Sequence, residues 1–166
     1  MIRSVVPRTA KIRRILITAL TALTLSAPAL AQSPDDSVPG LVVRPSDAGV
    51  HETAIRFAEQ ARISGMTVYT RIDHRQGAMS RSMALLPTEV IIFGNPKSTT
   101  PLMQCAPTAG IDLPLKALVW QDGDGQTWLG YNDPAWIAER HHGSDCPAVE
   151  PLQQEIEKVV TATLQE

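Results

Sequence analysis

Asp73-His74 closes a run of β-branched residues and sets an imidazole beside a carboxylate. A carboxylate can hold such a ring in one tautomer, and the ring can then pass protons near neutral pH. His74 is therefore the candidate general acid or base. The plainer alternative is a ring bonded to backbone at a strand end. Asn95, Lys97, Thr99 and Thr100 stand ahead of a short helical signal. Free N–H groups there, with an ammonium nearby, can hold a phosphate or carboxylate, although ordinary capping explains the same residues. Asp112 and Lys116 flank Leu113-Pro114-Leu115. An ammonium on a central strand needs a partner, so an ion pair fixing the strand's register stands beside a catalytic lysine. Asn95, Lys97, Thr100, Asp112 and Lys116 thus form the candidate ligand-binding set, with His74 at its margin. The rigid crossing 95–112 is expected to aim them into one hollow that takes a small polar or anionic molecule.

Other chemistries lack their signatures. No Gly-Lys-Ser/Thr ending makes a phosphate loop, and no Gly-x-Ser-x-Gly elbow supports acyl transfer. His141, His142 and Cys146, with Met79, Met83, Met103 and Cys105 elsewhere, raise a metal question, since soft thioether and imidazole ligands suit Cu(I). Adjacent histidines on a helix point about 100° apart, however, and methionines are expected as core filler. No metal site and no cofactor is expected. Three readings follow: an exported small-ligand-binding domain, an enzyme using His74, and a periplasmic copper or envelope-stress protein.

Arg3, Arg8, Lys11, Arg13 and Arg14 precede the apolar run 15–25, which ends in Ala29-Leu30-Ala31. That order is a secretory signal, with cleavage after Ala31 and a periplasmic or secreted product. An uncleaved anchor is the alternative, but the apolar run falls short of the ~20 residues a spanning helix needs. Residues 32–40 read as a flexible leader and 41–166 as one domain. Without the first 31 residues Lys+Arg falls from 15 to 10 against 17 acidic residues, leaving a net charge near −7. So acidic a domain does not suit nucleic acid, and no other segment could make it an integral membrane protein. Cys105 and Cys146 form a disulfide in an oxidising compartment; inert thiols or a redox or metal pair are the alternatives.

These side chains hang on elements that patterning outlines. Leu41–Arg44 reads as a strand stopped by Pro45, with Ser46 or Asp47 capping the helix that follows. Val50, Ala54, Phe57, Ala58 and Ala61 recur at helical spacing until Gly65. Strands are expected over 67–72, 89–93, 115–121 and 126–131, the last two joined by Asp122-Gly123-Asp124-Gly125. Thr99 or Thr100 should cap a miniature helix opening at Pro101. Asp133 and Pro134 start another helix, and Val149, Leu152, Ile156, Val159, Val160 and Leu164 stripe the last. The order implies an α+β domain with a mostly antiparallel sheet and helices over one face.

Several ordered blocks also carry a resemblance. They are Asp73-His74 with Ala78, Pro87–Val90, Phe93–Pro96, Thr100–Met103, Asp112–Lys116, Val119-Trp120 and Tyr131–Pro134. Over roughly Leu41–His142 the chain resembles the bacterial family called domain of unknown function 302. The resemblance implies a TATA-binding-protein-like fold: a single curved antiparallel sheet covered by two principal helices, here with an added C-terminal amphipathic helix. It also implies that the partner set includes a second copy, as a homodimer. Members usually have Gly where this chain has Thr99, and Cys105, Cys146 and the last helix lie outside the shared pattern. The family supplies no settled activity.

Overall fold

Side chains that alternate between buried and half-exposed build the sheet of this protein. Its computed structural model describes residues 38–165. The expected signal segment and residues 32–37 of the leader lie outside the described residues. In β3 (Thr88–Gly94) the positions Glu89, Ile91 and Phe93 are buried while Val90 and Ile92 are not. The same period of two runs through β4 (Leu115–Gln121) and β5 (Thr127–Asn132). With β1 (Leu41–Ser46) and β2 (Thr67–Asp73) they form one five-stranded sheet, order β1-β5-β4-β3-β2. Every pairing is antiparallel.

Two long helices cover the inward face: α1 (Val50–Ile63) and α5 (Val149–Leu164). The C-terminal helix is therefore itself one of the two principal ones. The α1 residues Val50, Ala54, Phe57, Ala58 and Ala61 are all buried, as their spacing requires. In α5 the buried stripe is Val149, Leu152, Ile156, Val159, Val160 and Thr163, and Leu164 only packs against its edge. Phe57 and Phe93 meet edge-on at 4.9 Å in the centre of this core. Shorter helices α2 (His74–Met79), α3 (Pro96–Cys105) and α4 (Pro134–Arg140), with a 3-10 turn at Pro107–Ile111, fill the connections.

Four local expectations are corrected. Pro45 does not stop β1, which runs to Ser46; β1 is an edge strand, where a missing N–H costs no ladder bond. The α1 N-cap is Gly49, without a side-chain bond, because the Ser46 hydroxyl is bonded to that of Thr53 instead. Helix α3 starts at Pro96 and not at Pro101, since the Asn95 side chain accepts from the Lys97 N–H and caps it. Met79 and Met83 are not core filler: their exposures are 64% and 61%.

The β4–β5 hairpin turns where expected. Asp122 Oδ1 accepts from the N–H groups of Asp124 and Gln126, and its Oδ2 from Trp128 Nε1 at 2.7 Å. The bond from Trp128 leads the interactions that hold this carboxyl below its ordinary range. Gly125 takes φ +87°, which a side chain would resist. Trp120 stands opposite Trp128 in the ladder, and its ring lies over Gly130, where an added Cβ would come within 3.0 Å. The two indoles are thus sheet packing on the face away from α1 and α5.

Tyr131 ties the sheet to α5 by donating to Glu157 Oε2 at 2.8 Å. Burial, and then this bond to a carboxylate, push its phenol above its ordinary range. The folded state therefore keeps the proton longer than the unfolded chain does. That stabilisation is complete below about pH 10, the unfolded value, and is lost as pH rises beyond it. Urea titrations should show the gap between wild type and Tyr131→Phe narrowing above about pH 10. A gap that stays constant into alkali would remove this account.

Candidate functional site

Glu89 is a carboxylate at an inward position of an otherwise apolar strand, with its side chain 8% exposed. Burying such a charge is costly unless it is paired and hydrogen-bonded. Two neighbours satisfy it. Arg71, from the edge strand β2, donates Nη2 to Oε2. His51, from the first turn of α1, approaches Oε1 with Nδ1 at 2.9 Å. A carboxylate only accepts, so Nδ1 carries the proton and Nε2 is left without a partner on a ring that is 75% exposed. The Nε–H of Arg71 is buried and unpaired, the one such side-chain atom among the described residues.

Over this cluster opens a groove of about 510 Å3 lined by His51, Glu52, Asp73, Arg75, Thr88 and Glu89. Each carboxylate on it is engaged: Glu52 by Arg56, Asp73 by the Gln76 N–H, and Glu89 as above. The side-chain groups left over are the Arg75 guanidinium and His51 Nε2. One is a permanent cation and the other becomes one on protonation. Two of the blocks that carry the resemblance, Asp73-His74 and Pro87–Val90, meet here.

The residues expected from sequence are placed differently. His74 is exposed at the start of α2 and has no hydrogen-bond partner among the described residues; its neighbour Asp73 caps α2. Asn95 and Lys97 line a second groove, of about 630 Å3, with Pro101, Cys105, Cys146 and Pro151. Asn95 is occupied as a cap, and its Nδ2 donates to Glu155 Oε1 at 3.1 Å. Thr100 is exposed on α3 and does not line that groove. Asp112 and Lys116 form a separate knot. Lys116 is exposed, not buried, and donates to the backbone oxygens of Asp112 and Pro114 at 2.9 and 3.0 Å. The Asp112 carboxylate instead takes both oxygens' worth of Arg140 Nη1 at 3.0 Å and His141 Nε2 at 2.8 Å. His141 Nδ1 lies 3.0 Å from the Thr108 hydroxyl, which accounts for that ring structurally. The single hollow expected of the crossing segment is thus two sites, because capping and main-chain bonds consume most of its polar groups.

Sequence reasoning missed His51, Arg71 and Arg75, and met Glu89 only inside a motif. A signal existed. Glu89 shares its strand face with Ile91 and Phe93, so a period of two already turns it toward the core. Its partners carry no such mark, since one comes from a helix start and one from the sheet edge.

The cysteines are joined as expected, Cys105 to Cys146, with Cα atoms 5.9 Å apart. Among the described residues no helix is long and apolar enough to cross a membrane. Nor do three or more of their His, Cys, Asp or Glu side chains gather to hold a metal ion.

Known proteins resemble this chain in two ways. The crystal structure of an uncharacterized conserved protein DUF302 from Bacillus stearothermophilus superposes with a TM-score of 0.62. It is 21% identical, over 77% of this chain and 98% of that one, and so shares the fold. "Fluoride-specific ion channel FluC 1" of Brucella suis biovar 1 (strain 1330) is 53% identical over 102 residues, 61% of this chain. "Fluoride-specific ion channel FluC 2" of Brucella melitensis biotype 1 matches equally well over the same length. The chain spans only about two fifths of these relatives, 40% and 38% respectively. The family described as "Domain of unknown function DUF302" matches residues 42–163, which takes in α5 and passes well beyond the His142 limit set by the motifs. With its sheet, its covering helices and that match in agreement, the chain belongs to the domain of unknown function 302 family.

Proposed function

We propose that this is an exported domain that binds a small monovalent anion in the groove over Glu89. The observation that carries the reading is the pairing pattern: Glu52 and Glu89 are paired with arginines and Asp73 is taken up as the α2 cap, whereas Arg75 and His51 Nε2 have no partner among the described residues. The volume lies within the range of small-molecule sites. Export rests on the basic head and apolar run of residues 1–31. The relatives named as fluoride-specific channels are supporting context, since the species in their name is itself a small monovalent anion.

Calorimetric titration at constant ionic strength with fluoride, formate, chloride and sulfate tests this. Fluoride or formate should bind. Arg75→Ala should weaken binding by roughly tenfold, the worth of one charge-assisted bond. Absence of heat with all four anions, or an unchanged affinity in Arg75→Ala, would sink the proposal.

A second reading draws on the His51–Glu89 pair itself. A buried carboxylate orienting an exposed imidazole is the arrangement of a general base. Should the domain be an enzyme, the ring to substitute is His51 and not the unpartnered His74.

A further inference from the structure

The larger groove, between α3 and the start of α5, is lined by both cysteines of the disulfide. The two are not equivalent. Cys105 is exposed and is the last residue of α3. Cys146 is buried, with 7% exposure, and sits just ahead of α5. A helix carries partial negative charge at its C-terminus and partial positive charge at its N-terminus. The helix ends thus disfavour a thiolate at Cys105 and favour one at Cys146, where burial and the Glu150 carboxylate in the first turn of α5 act against it. At the start of α5 the N-cap Ala148 offers no side-chain acceptor; Val149 N–H is bonded to the Cys146 oxygen, Leu152 N–H to that of Ala148, and Pro151 has none, which leaves the Glu150 N–H. Lys97 contributes an ammonium with no partner among the described residues, and Pro101, Pro147 and Pro151 supply apolar walls.

From this asymmetry we infer that the Cys105–Cys146 disulfide is a thiol–disulfide exchange site for small or peptide thiols. It is independent of the anion groove. Exchange is fastest when the attacked sulfur is accessible and the departing sulfur is a good leaving group. A thiolate entering past Lys97 attacks Cys105 Sγ. The new bond joins the incoming sulfur to Cys105, the Cys105–Cys146 bond breaks, and its electron pair leaves on Cys146 beside the α5 N-terminus. A second thiolate then attacks the incoming partner's sulfur in the mixed disulfide. It releases the partner as a disulfide and leaves Cys105 as a thiolate. Two thiols are oxidised and one protein disulfide is reduced to the dithiol. The two protons the thiols lose are those the cysteines take up.

The test uses the oxidised full chain under native conditions with reduced glutathione. Samples are quenched by acid and alkylation and then mapped by mass spectrometry. Glutathione should appear on Cys105 in roughly tenfold excess over Cys146, well before the core unfolds. Two variants separate exchange from folding. Ala148→Asp sets a carboxylate near the departing sulfur, so it should slow exchange several-fold with the thermal midpoint unchanged. Lys97→Ala should slow the attack of the anionic glutathione thiolate without changing stability. The inference is overturned if reduction proceeds only at the rate of global unfolding. It is equally overturned by adducts divided evenly between the cysteines, or by an exchange rate that Ala148→Asp leaves untouched.

Discussion

Replacing Glu89 with alanine should lower the unfolding free energy by about 3 kcal/mol. The substitution leaves the Arg71 guanidinium beside the core with its Nε–H already unpaired and its Nη2 with only the long 3.4 Å contact to His51 Nδ1. Breaking a buried pair from one side costs the full desolvation of the survivor. Arg71 is 27% exposed, which keeps the effect at the lower end of what such losses cost. The bond from His51 adds little, because its ring is mostly in water. Equilibrium urea unfolding gives the number, and a loss under about 1 kcal/mol would mean that the guanidinium simply turns outward. A companion variant separates folding from binding. Arg71→Met with Glu89→Leu removes both charges at similar volume and should recover most of the lost stability. It should nevertheless abolish anion binding, since His51 loses the carboxylate that orients it.

Phe57→Ala is expected to cost about 4 kcal/mol. Phe57 of α1 and Phe93 of β3 are the chain's two phenylalanines, and both are fully buried. Their rings meet at 4.9 Å and 76°, an edge-on contact that adds to the area each removes from water. Truncation leaves a cavity that Ala54, Ala61 and Ile91 cannot collapse to fill, because helix and strand hold their backbones apart. Phe57→Leu keeps most of the volume and should cost under about 1.5 kcal/mol. Both should shift the urea midpoint without altering the slope. Equal losses in the two variants would show that ring volume is not what matters there.

The fold was readable wherever a short period repeats. The α1 stripe, the α5 stripe and the β4–β5 hairpin each lie where patterning puts them. Helix starts were read less well. Asn95 outcompetes Thr99 and Thr100 as the α3 cap, and Gly49 serves α1 with no side-chain bond at all. A cap is chosen by which side chain happens to reach a free N–H, and composition alone does not rank the contenders. The crossing segment misled for a related reason. Its polar groups look available in sequence, yet Asn95 turns back on its own helix and Lys116 on its own main chain.

What the chain determined by itself was therefore local: which stretches form strands and helices, which faces turn inward, and which family's blocks it carries. Residue order encodes these because each depends on neighbours a few positions away. Which charges meet was decided only by the tertiary structure. His51, Arg71, Arg75 and Glu89 converge because β2 pairs with β3 on one side while α1 lies across that end of the sheet. The two sulfurs likewise acquire different helix ends only once α3 is laid against α5. Long-range register depends on the packing of the whole core, and no short window of sequence contains it.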